Sequence, residues 1–249
     1  MRLKIASIAR IVKQLKSRRF RLDLMMRFNN IQILSSRVVF DPRTETEFWV
    51  KQALAEIKEI SRDLTSANLP IRVLDIFSGT GCIGIFLLKN SDNSFVDFVD
   101  ISPQAIEQIR INLDLNKIGK KRCRIFQSDM FEGLREERLT ARRNEIQSFG
   151  YDFVFANPPY VALERAHEIG EDILANDPNL ALLAGNDGLL IIKEFLNQVD
   201  DFLKPKGIFF MEFDPLQKSE IEKILKEKGF DFDFRQDQFQ EWRWLRARI

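Results

Sequence analysis

Val73-Leu74-Asp75-Ile76-Phe77-Ser78-Gly79-Thr80-Gly81-Cys82-Ile83-Gly84 reads as an apolar strand that runs into a glycine turn and opens a helix. Glycines let the backbone approach a bound molecule where a Cβ would collide. The helix that follows offers free N–H groups at its start. In open α/β sheets, ligands sit beyond the carboxyl ends of the strands, which is where this turn falls.

Working outward, short apolar runs recur at Phe95–Val99, Cys123–Phe126, Phe153–Ala156 and Ile208–Phe213. Helical spacing separates most of them, as in Ile106, Ile109 and Leu113, or in Leu189, Ile192, Phe195, Leu196 and Val199. Strand–helix alternation predicts a mostly parallel sheet covered on both faces. Phe230–Phe234 and Trp242–Arg248 leave no room for a helix between them, so they are expected to close the sheet as an antiparallel hairpin. The expected architecture is an α/β fold with a seven-stranded mixed sheet. A plain dinucleotide-binding fold would keep a sixth parallel strand and lack the hairpin. The charged stretch Glu132–Gly150 reads as a solvated insertion before the fourth strand.

Upstream, a strand pair is expected across Met26–Leu34 and Arg37–Phe40, ended by Asp41-Pro42-Arg43. Thr44 and Glu47 have the spacing of a capping box opening a helix. Val50, Ala53, Leu54, Ile57 and Leu64 give that helix its apolar face, and Asn68-Leu69-Pro70 ends it. The expected division is a basic arm or helix over residues 1–25, a β-hairpin and linking helix over 26–70, and the main domain over 71–249.

Composition agrees with a globular chain. Of 249 residues, 45% are hydrophobic and 30% charged, and the 22 Phe against 2 Tyr and 3 Trp are read as core filling. Two cysteines, Cys82 and Cys123, without a secretory signal argue for a reducing compartment. No apolar run reaches the length of a membrane span. Charge is uneven: residues 1–40 hold ten Lys/Arg and one acid, Asp23, and carry +9, while the remaining 28 Lys/Arg and 36 Asp/Glu carry −8. Ile8, Ile11, Val12 and Leu15 repeat at helical spacing within this basic arm. It suits a helix packed on the main domain, an RNA-rich, acidic or membrane partner, or mitochondrial targeting; without targeting the chain is expected in the cytoplasm.

Gly79, Gly81 and Gly84 fit the dinucleotide pattern GxGxxG, a weak signal on its own. Asp100, ending the second strand, suits a ribose in that reading and equally beside S-adenosylmethionine. Asp75 separates the two. A carboxylate is unfavourable near a pyrophosphate and acceptable near the sulfonium and amino group of S-adenosylmethionine. A glycine turn without ligand is the third reading. After the third strand, Asp129 is placed to accept from an adenine amine and Met130 to pack on its ring; Ser128 or Asp129 equally suits a helix N-cap.

Phe155-Ala156-Asn157-Pro158-Pro159-Tyr160 follows the fourth strand. The prolines stiffen the backbone and carry no N–H. The Asn157 side-chain oxygen and the Pro158 carbonyl then form two rigid acceptors, which match a planar NH2 group, and Tyr160 suits stacking on a flat amide or base. An amide nitrogen is a poor nucleophile. Holding both its N–H bonds aims the lone pair and stabilises the charge that grows on nitrogen in an in-line displacement. No tuned base is needed, and the single histidine, His167, reads as a surface residue.

These motifs together resemble methyltransferases that act on planar amino groups. Pro42-Arg43-Thr44-Glu45-Thr46-Glu47, Asp177-Pro178-Asn179-Leu180-Ala181-Leu182 with Gly185-Asn186-Asp187-Gly188-Leu189, and Met211-Glu212-Phe213-Asp214-Pro215-Leu216-Gln217 narrow the resemblance. It is to the HemK-like release-factor glutamine methyltransferases, over roughly residues 26–249. The resemblance implies a class I methyltransferase fold acting on the Gly-Gly-Gln glutamine of peptide-chain release factors, with S-adenosylmethionine as methyl donor. By motif position, Asp75 and Phe77, Ser78, Gly79, Thr80 and Gly81 would wrap the donor. Asp100 would hold its ribose, Asp129 and Met130 would flank its adenine, and Asn157 would also contact the donor. Asn157, Pro158 and Tyr160 would be catalytic, and these with Pro159 and Arg43 would bind the substrate; no metal is implied. The chain departs from the family at Phe77, where Gly is usual, at Met130, where Trp is frequent, and at Phe213-Asp214, where Ile-Gly is usual. The helical domain that grips the release factor is replaced by the short basic arm, so a ribosomal protein is an alternative partner. Three other readings stay open: a nucleic-acid amino methyltransferase with the arm on phosphate, a binding module without turnover, and an oxidoreductase.

Overall fold

In the computed structural model the described residues are 22–36, 39, 41–64, 70–140, 150–162, 165 and 185–249. The basic residues 1–21, the insertion residues 141–149, His167 and the Asp177–Leu182 segment lie outside them.

The parallel core is β3 (Ile71–Ile76), β4 (Ser94–Asp100), β5 (Cys123–Gln127), β6 (Tyr151–Ala156) and β7 (Leu203–Glu212), closed by β8 (Asp231–Gln236) and β9 (Trp242–Arg248). The strands run in the order β5-β4-β3-β6-β7-β9-β8, and β9 pairs antiparallel with both β7 and β8. The seven-stranded mixed sheet and its closing hairpin are therefore as the apolar spacing predicts.

Successive strand residues point to opposite faces, which is why nearly continuous apolar runs are needed here. Leu74, Val154 and Phe209 enter one core, with Phe131 after β5 and with Phe195 and Leu196 of α5 (Leu190–Gln198). Their neighbours Val73, Phe153 and Phe210 enter the other. That second core is covered by α1 (Thr44–Leu64), α2 (Cys82–Asn90) and α3 (Pro103–Leu115). Much of the Phe excess is spent here: nine phenylalanines, from Phe28 to Phe213, are among the fully buried large side chains. Trp49 of α1 stacks between Phe155 and Trp244, 5.9 Å from each ring.

Three expectations are corrected. The N-terminal strand pair is β1 (Leu22–Phe28) with β2 (Ile31–Ser36), turning at Asn29-Asn30 rather than after Leu34. Asn29, at φ 50°, is one of the few residue types that accept a left-handed turn. Second, no capping box forms at Thr44, because the Glu47 carboxylate accepts the Asn29 amide and so ties α1 to the hairpin instead. Third, the start of the presumed insertion is a helix, α4 (Glu132–Thr140), with Leu134 buried and Glu137 paired to Arg124.

The hairpin is held by α3 through side chains that imitate a neighbouring strand. Asn112 accepts from the Leu34 amide at 2.8 Å, and its own Nδ2 donates to the Leu34 carbonyl at 3.1 Å and to the Thr80 carbonyl at 2.9 Å. Asn116 brackets the Gln32 backbone in the same way. This fixes the hairpin beside the glycine turn. The remaining helix, α6 (Lys218–Lys228), ends at Gly229 and leads into β8. Among the described residues no helix is long and apolar enough to cross a membrane.

Candidate functional site

The turn after β3 is built from left-handed residues: Phe77 has φ 61°, Gly79 54° and Gly81 75°. Ser78 locks it down, its hydroxyl donating to the Asp75 carbonyl at 2.6 Å and accepting from the Val99 amide at 3.0 Å. Asp100 closes the loop from the next strand, one oxygen accepting from the Gly79 amide at 2.8 Å and the other from the Ser102 amide at 2.9 Å. Each carboxylate oxygen keeps a second lone pair for a ligand hydroxyl. Burial raises the Asp100 carboxyl above its usual range, against the backbone N–H groups that lower it.

Asp75 is 1% exposed beneath this loop. Its Oδ2 accepts from the Gly84 amide at 2.9 Å, and its Oδ1 is buried with no hydrogen-bond partner. Burial lifts its carboxyl well above the usual range; the Gly84 bond opposes this and the Asp100 charge adds to it. An unsatisfied buried acceptor is costly unless a ligand supplies a donor. An ammonium group reaching past the glycines supplies one. Glycines at the approach, an orphaned carboxylate oxygen below and the Asp100 carboxylate beside them as an acceptor for hydroxyls therefore fit S-adenosylmethionine. Cys82, next to the loop, is no nucleophile: burial, with the Asp75 charge adding to it, pushes its thiol up to about 12.

Beyond β5, Ser128 caps α4 by accepting from the Gly133 amide at 2.7 Å. Asp129 is exposed, and Met130, at φ 39°, is only 5% exposed and packs with Phe131 and Val99. Of the predicted donor contacts, Asp75, Ser78, Gly79, Gly81 and Asp100 are joined by hydrogen bonds, and Asp129 and Met130 stand apart from that network.

The Asn-Pro-Pro-Tyr segment leaves β6 alongside the glycine turn. Asp75 pairs with Phe155 and Ile76 with Ala156, so Asn157 emerges beside Phe77 at the carboxyl edge of the sheet. On the other side Ala156 pairs with Met211, which brings Glu212 next to Asn157. Asn157 is half-buried, its Nδ2 donating to the Thr46 hydroxyl at 3.4 Å. Tyr160 is buried, and its hydroxyl donates to Glu212 Oε1 at 2.8 Å. Burial holds the Tyr160 phenol well above its usual value; the Glu212 carboxylate adds to the rise and Arg43 offsets it, so the group stays a protonated donor. Arg43 is thus part of the electrostatic surroundings of Tyr160.

The residues that sequence reading left without a role are the ones supporting this segment. Glu212 is fully buried and accepts from the Thr46 hydroxyl and the Trp49 indole, both at 2.7 Å, besides Tyr160. Gln217 donates to the Tyr160 carbonyl at 2.8 Å and to the Asp187 carbonyl at 3.2 Å. Gly188 packs so closely that a Cβ there would lie 2.1 Å from the Tyr160 carbonyl oxygen. An acid inside the otherwise apolar run Ile208–Phe213 is the available signal for Glu212. A separate cleft, lined by Arg72, Arg124 and Tyr151, opens at the amino ends of the strands. Arg72 and Arg124 are both paired with the buried Asp97.

The methyltransferase small domain family matches residues 60–205. A release factor glutamine methyltransferase of Thermodesulfovibrio yellowstonii is 30% identical over 204 residues, 82% of this chain and 66% of that protein. A ribosomal protein uL3 glutamine methyltransferase of Neisseria meningitidis is 33% identical over 139 residues, 56% of this chain and 41% of that protein. The chain thus spans about two thirds or less of the length of these curated relatives. Among solved structures, a methyltransferase complexed with S-adenosylhomocysteine superposes with a TM-score of 0.55 at 14% identity, over 90% of this chain and 55% of that one. It shares the fold.

Proposed function

Since the chain belongs to the methyltransferase small domain family, we propose that it transfers a methyl group from S-adenosylmethionine to the side-chain amide nitrogen of a protein glutamine. When bound, the donor supplies a methyl carbon made electrophilic by its sulfonium. Phe77–Gly81 would wrap it, Asp100 would take the ribose hydroxyls, Asp75 Oδ1 would accept from the ammonium, and Asp129 and Met130 would lie on the adenine side. The Asn157 side-chain oxygen and the Pro158 carbonyl accept the two N–H bonds of the substrate carboxamide, which aims its nitrogen lone pair. The same acceptors stabilise the positive charge that develops on nitrogen. Water takes the proton afterwards. Tyr160, its hydroxyl tied to Glu212, forms a fixed wall beside the amide.

The observation that carries this reading is the β3–β6 register, which sets Asn157 beside the glycine turn. Glutamine methyltransferases among the relatives support glutamine as the target and leave two kinds of protein substrate, release factors and ribosomal protein uL3. We favour the Gly-Gly-Gln glutamine of a release factor, with the hairpin and α1 covering one side of a methyltransferase domain that begins near residue 71, and with the protein acting in the cytoplasm. The test is mass spectrometry of a release factor incubated with the protein and S-adenosylmethionine. A methyl on the Gly-Gly-Gln glutamine, lost in Asn157→Ala, is expected. An unmodified release factor alongside methylated nucleic acid in a parallel reaction would overturn it in favour of a nucleic-acid amino methyltransferase.

A further inference from the structure

Asn157 has a symmetric-looking side chain whose two ends do opposite things: one accepts and the other donates. Only the accepting end is useful against a substrate NH2, so something must decide which end faces it. The candidates are Thr46, in the first turn of α1, and Glu212, at the end of β7, which meet Asn157 from two different elements.

The chain of hydrogen bonds settles the orientation by counting protons. Glu212, fully buried, is acceptor-only as a carboxylate, and the Thr46 hydroxyl lies 2.7 Å from its Oε2. A hydroxyl has one hydrogen, and that hydrogen goes to the carboxylate. Thr46 Oγ1 can then only accept from Asn157, which it does from Nδ2 at 3.4 Å. With Nδ2 engaged by Thr46, Oδ1 faces the other way. Reversing the amide would set Oδ1 against a hydroxyl oxygen with no hydrogen to give. Trp49 and Tyr160 donate to the same carboxylate and fix its plane.

We propose that Glu212 is a positioning residue that, acting through the Thr46 hydroxyl, fixes which end of the Asn157 amide meets the substrate. This rests on the glutamine-methylation reading. It assigns a reacting-site function to Thr46 and Glu212 beyond holding α1 on the sheet.

The test compares Thr46→Val, Thr46→Ser and Glu212→Gln with wild type and Asn157→Ala. The readouts are kcat and KM for methyl transfer to a release factor carrying Gly-Gly-Gln, S-adenosylhomocysteine affinity by calorimetry, and Tm. Valine keeps the shape of Thr46 and removes the relay, so kcat should fall about ten- to a hundredfold, the scale of a misaimed reacting group, with donor affinity unchanged. Serine keeps the hydroxyl and should restore most of kcat. Glu212→Gln can donate to Thr46 and free its hydrogen for Asn157 Oδ1, so it should also lower kcat. The proposal is overturned if Thr46→Val keeps wild-type kcat while Asn157→Ala loses it. It is also overturned if serine fails to rescue, or if the valine loss is matched by lost donor affinity and Tm. Full turnover in Asn157→Ala would instead remove the underlying reading, and the proposal with it.

Discussion

The Gly84 amide donates to Asp75 Oδ2 at 2.9 Å, and the same glycine lies against the Phe98 ring so closely that a Cβ would sit 2.3 Å from Phe98 Cε1. Phe98 is fully buried and has nowhere to retreat. Gly84→Ala should therefore push on the ring and on the carboxylate together. Overpacking of this kind costs roughly 1–3 kcal/mol. The expected outcome in urea denaturation is a lower midpoint with an unchanged slope, accompanied by weaker S-adenosylhomocysteine binding. Wild-type stability in the alanine variant would show that the contact is slack.

Asp75 gives a pH dependence of known sign. Its folded-state value is raised, chiefly by burial, above that of the unfolded chain. Its contribution to stability is therefore fullest below the unfolded value, about 3.9, and is lost as pH rises toward the raised folded value. Asp75→Asn removes this titration while keeping an oxygen for the Gly84 amide. The stability difference between variant and wild type should shift in favour of the variant as pH rises from acid toward neutral. Asp100 is raised in the same direction but is present in both proteins, so it largely cancels in the difference. Donor affinity should fall in the variant, because the end of the amide that faces the ammonium becomes an NH2 group, which carries no charge and cannot accept from it. A pH-independent difference in denaturation midpoints would refute the assignment.

Phe77 sits at φ 61° where the resembled family usually has glycine. A left-handed conformation costs a side-chain-bearing residue roughly 1–2 kcal/mol, so Phe77→Gly looks stabilising at first sight. Two terms oppose it. Glycine gives the unfolded chain more freedom, worth about 0.4–1 kcal/mol. The half-buried ring is also lost, with its edge contact to Phe195 at 6.1 Å, and a fully buried Phe is worth about 1.5–3 kcal/mol. For a half-buried ring the packing loss is about half of that, so the terms nearly balance and the expected net effect is a destabilisation of only a few tenths of a kcal/mol, roughly 0.3. A rise in Tm would mean that strain outweighs the ring.

The reach of the sequence follows from where each signal resides. Val73–Ile76, Phe153–Ala156 and Trp242–Arg248 are legible because residues buried on both faces must be apolar in unbroken runs. The glycine turn at Gly79 and Gly81 and the position of Asp100 and Asn157 beside it are legible because special residue types stand at or just past strand ends. What stayed hidden depends on meetings far apart in the chain. Asn112 and Asn116 look like ordinary polar positions of a helix until the hairpin backbone is laid against them. Thr46 and Glu212 are 166 positions apart and are joined only by the fold. Glu47 was misread as a cap because its spacing to Thr44 suited one, while its actual partner, the Asn29 amide, is 18 positions upstream.

Gly188 tests whether the Asn-Pro-Pro-Tyr segment behaves as a stiff unit. Its φ of 72° already penalises a side chain, and an added Cβ would lie 2.1 Å from the Tyr160 carbonyl oxygen and 2.4 Å from Gln217 Nε2. Those two atoms are hydrogen-bonded to each other at 2.8 Å. Turning a side chain does not relieve contact with a carbonyl oxygen, so Gly188→Ala must move the backbone at Tyr160. Two adjacent prolines transmit that movement to Asn157 and Pro158 rather than absorbing it. Turnover should fall by up to about a hundredfold, the scale of a misplacement near 1 Å. The donor turn is held from β3 and β4 and does not depend on Gly188, so S-adenosylhomocysteine affinity should stay at the wild-type value. Unchanged kcat in this variant would show that the segment flexes at Tyr160 and that its acceptors are positioned without help from the Gly188 loop.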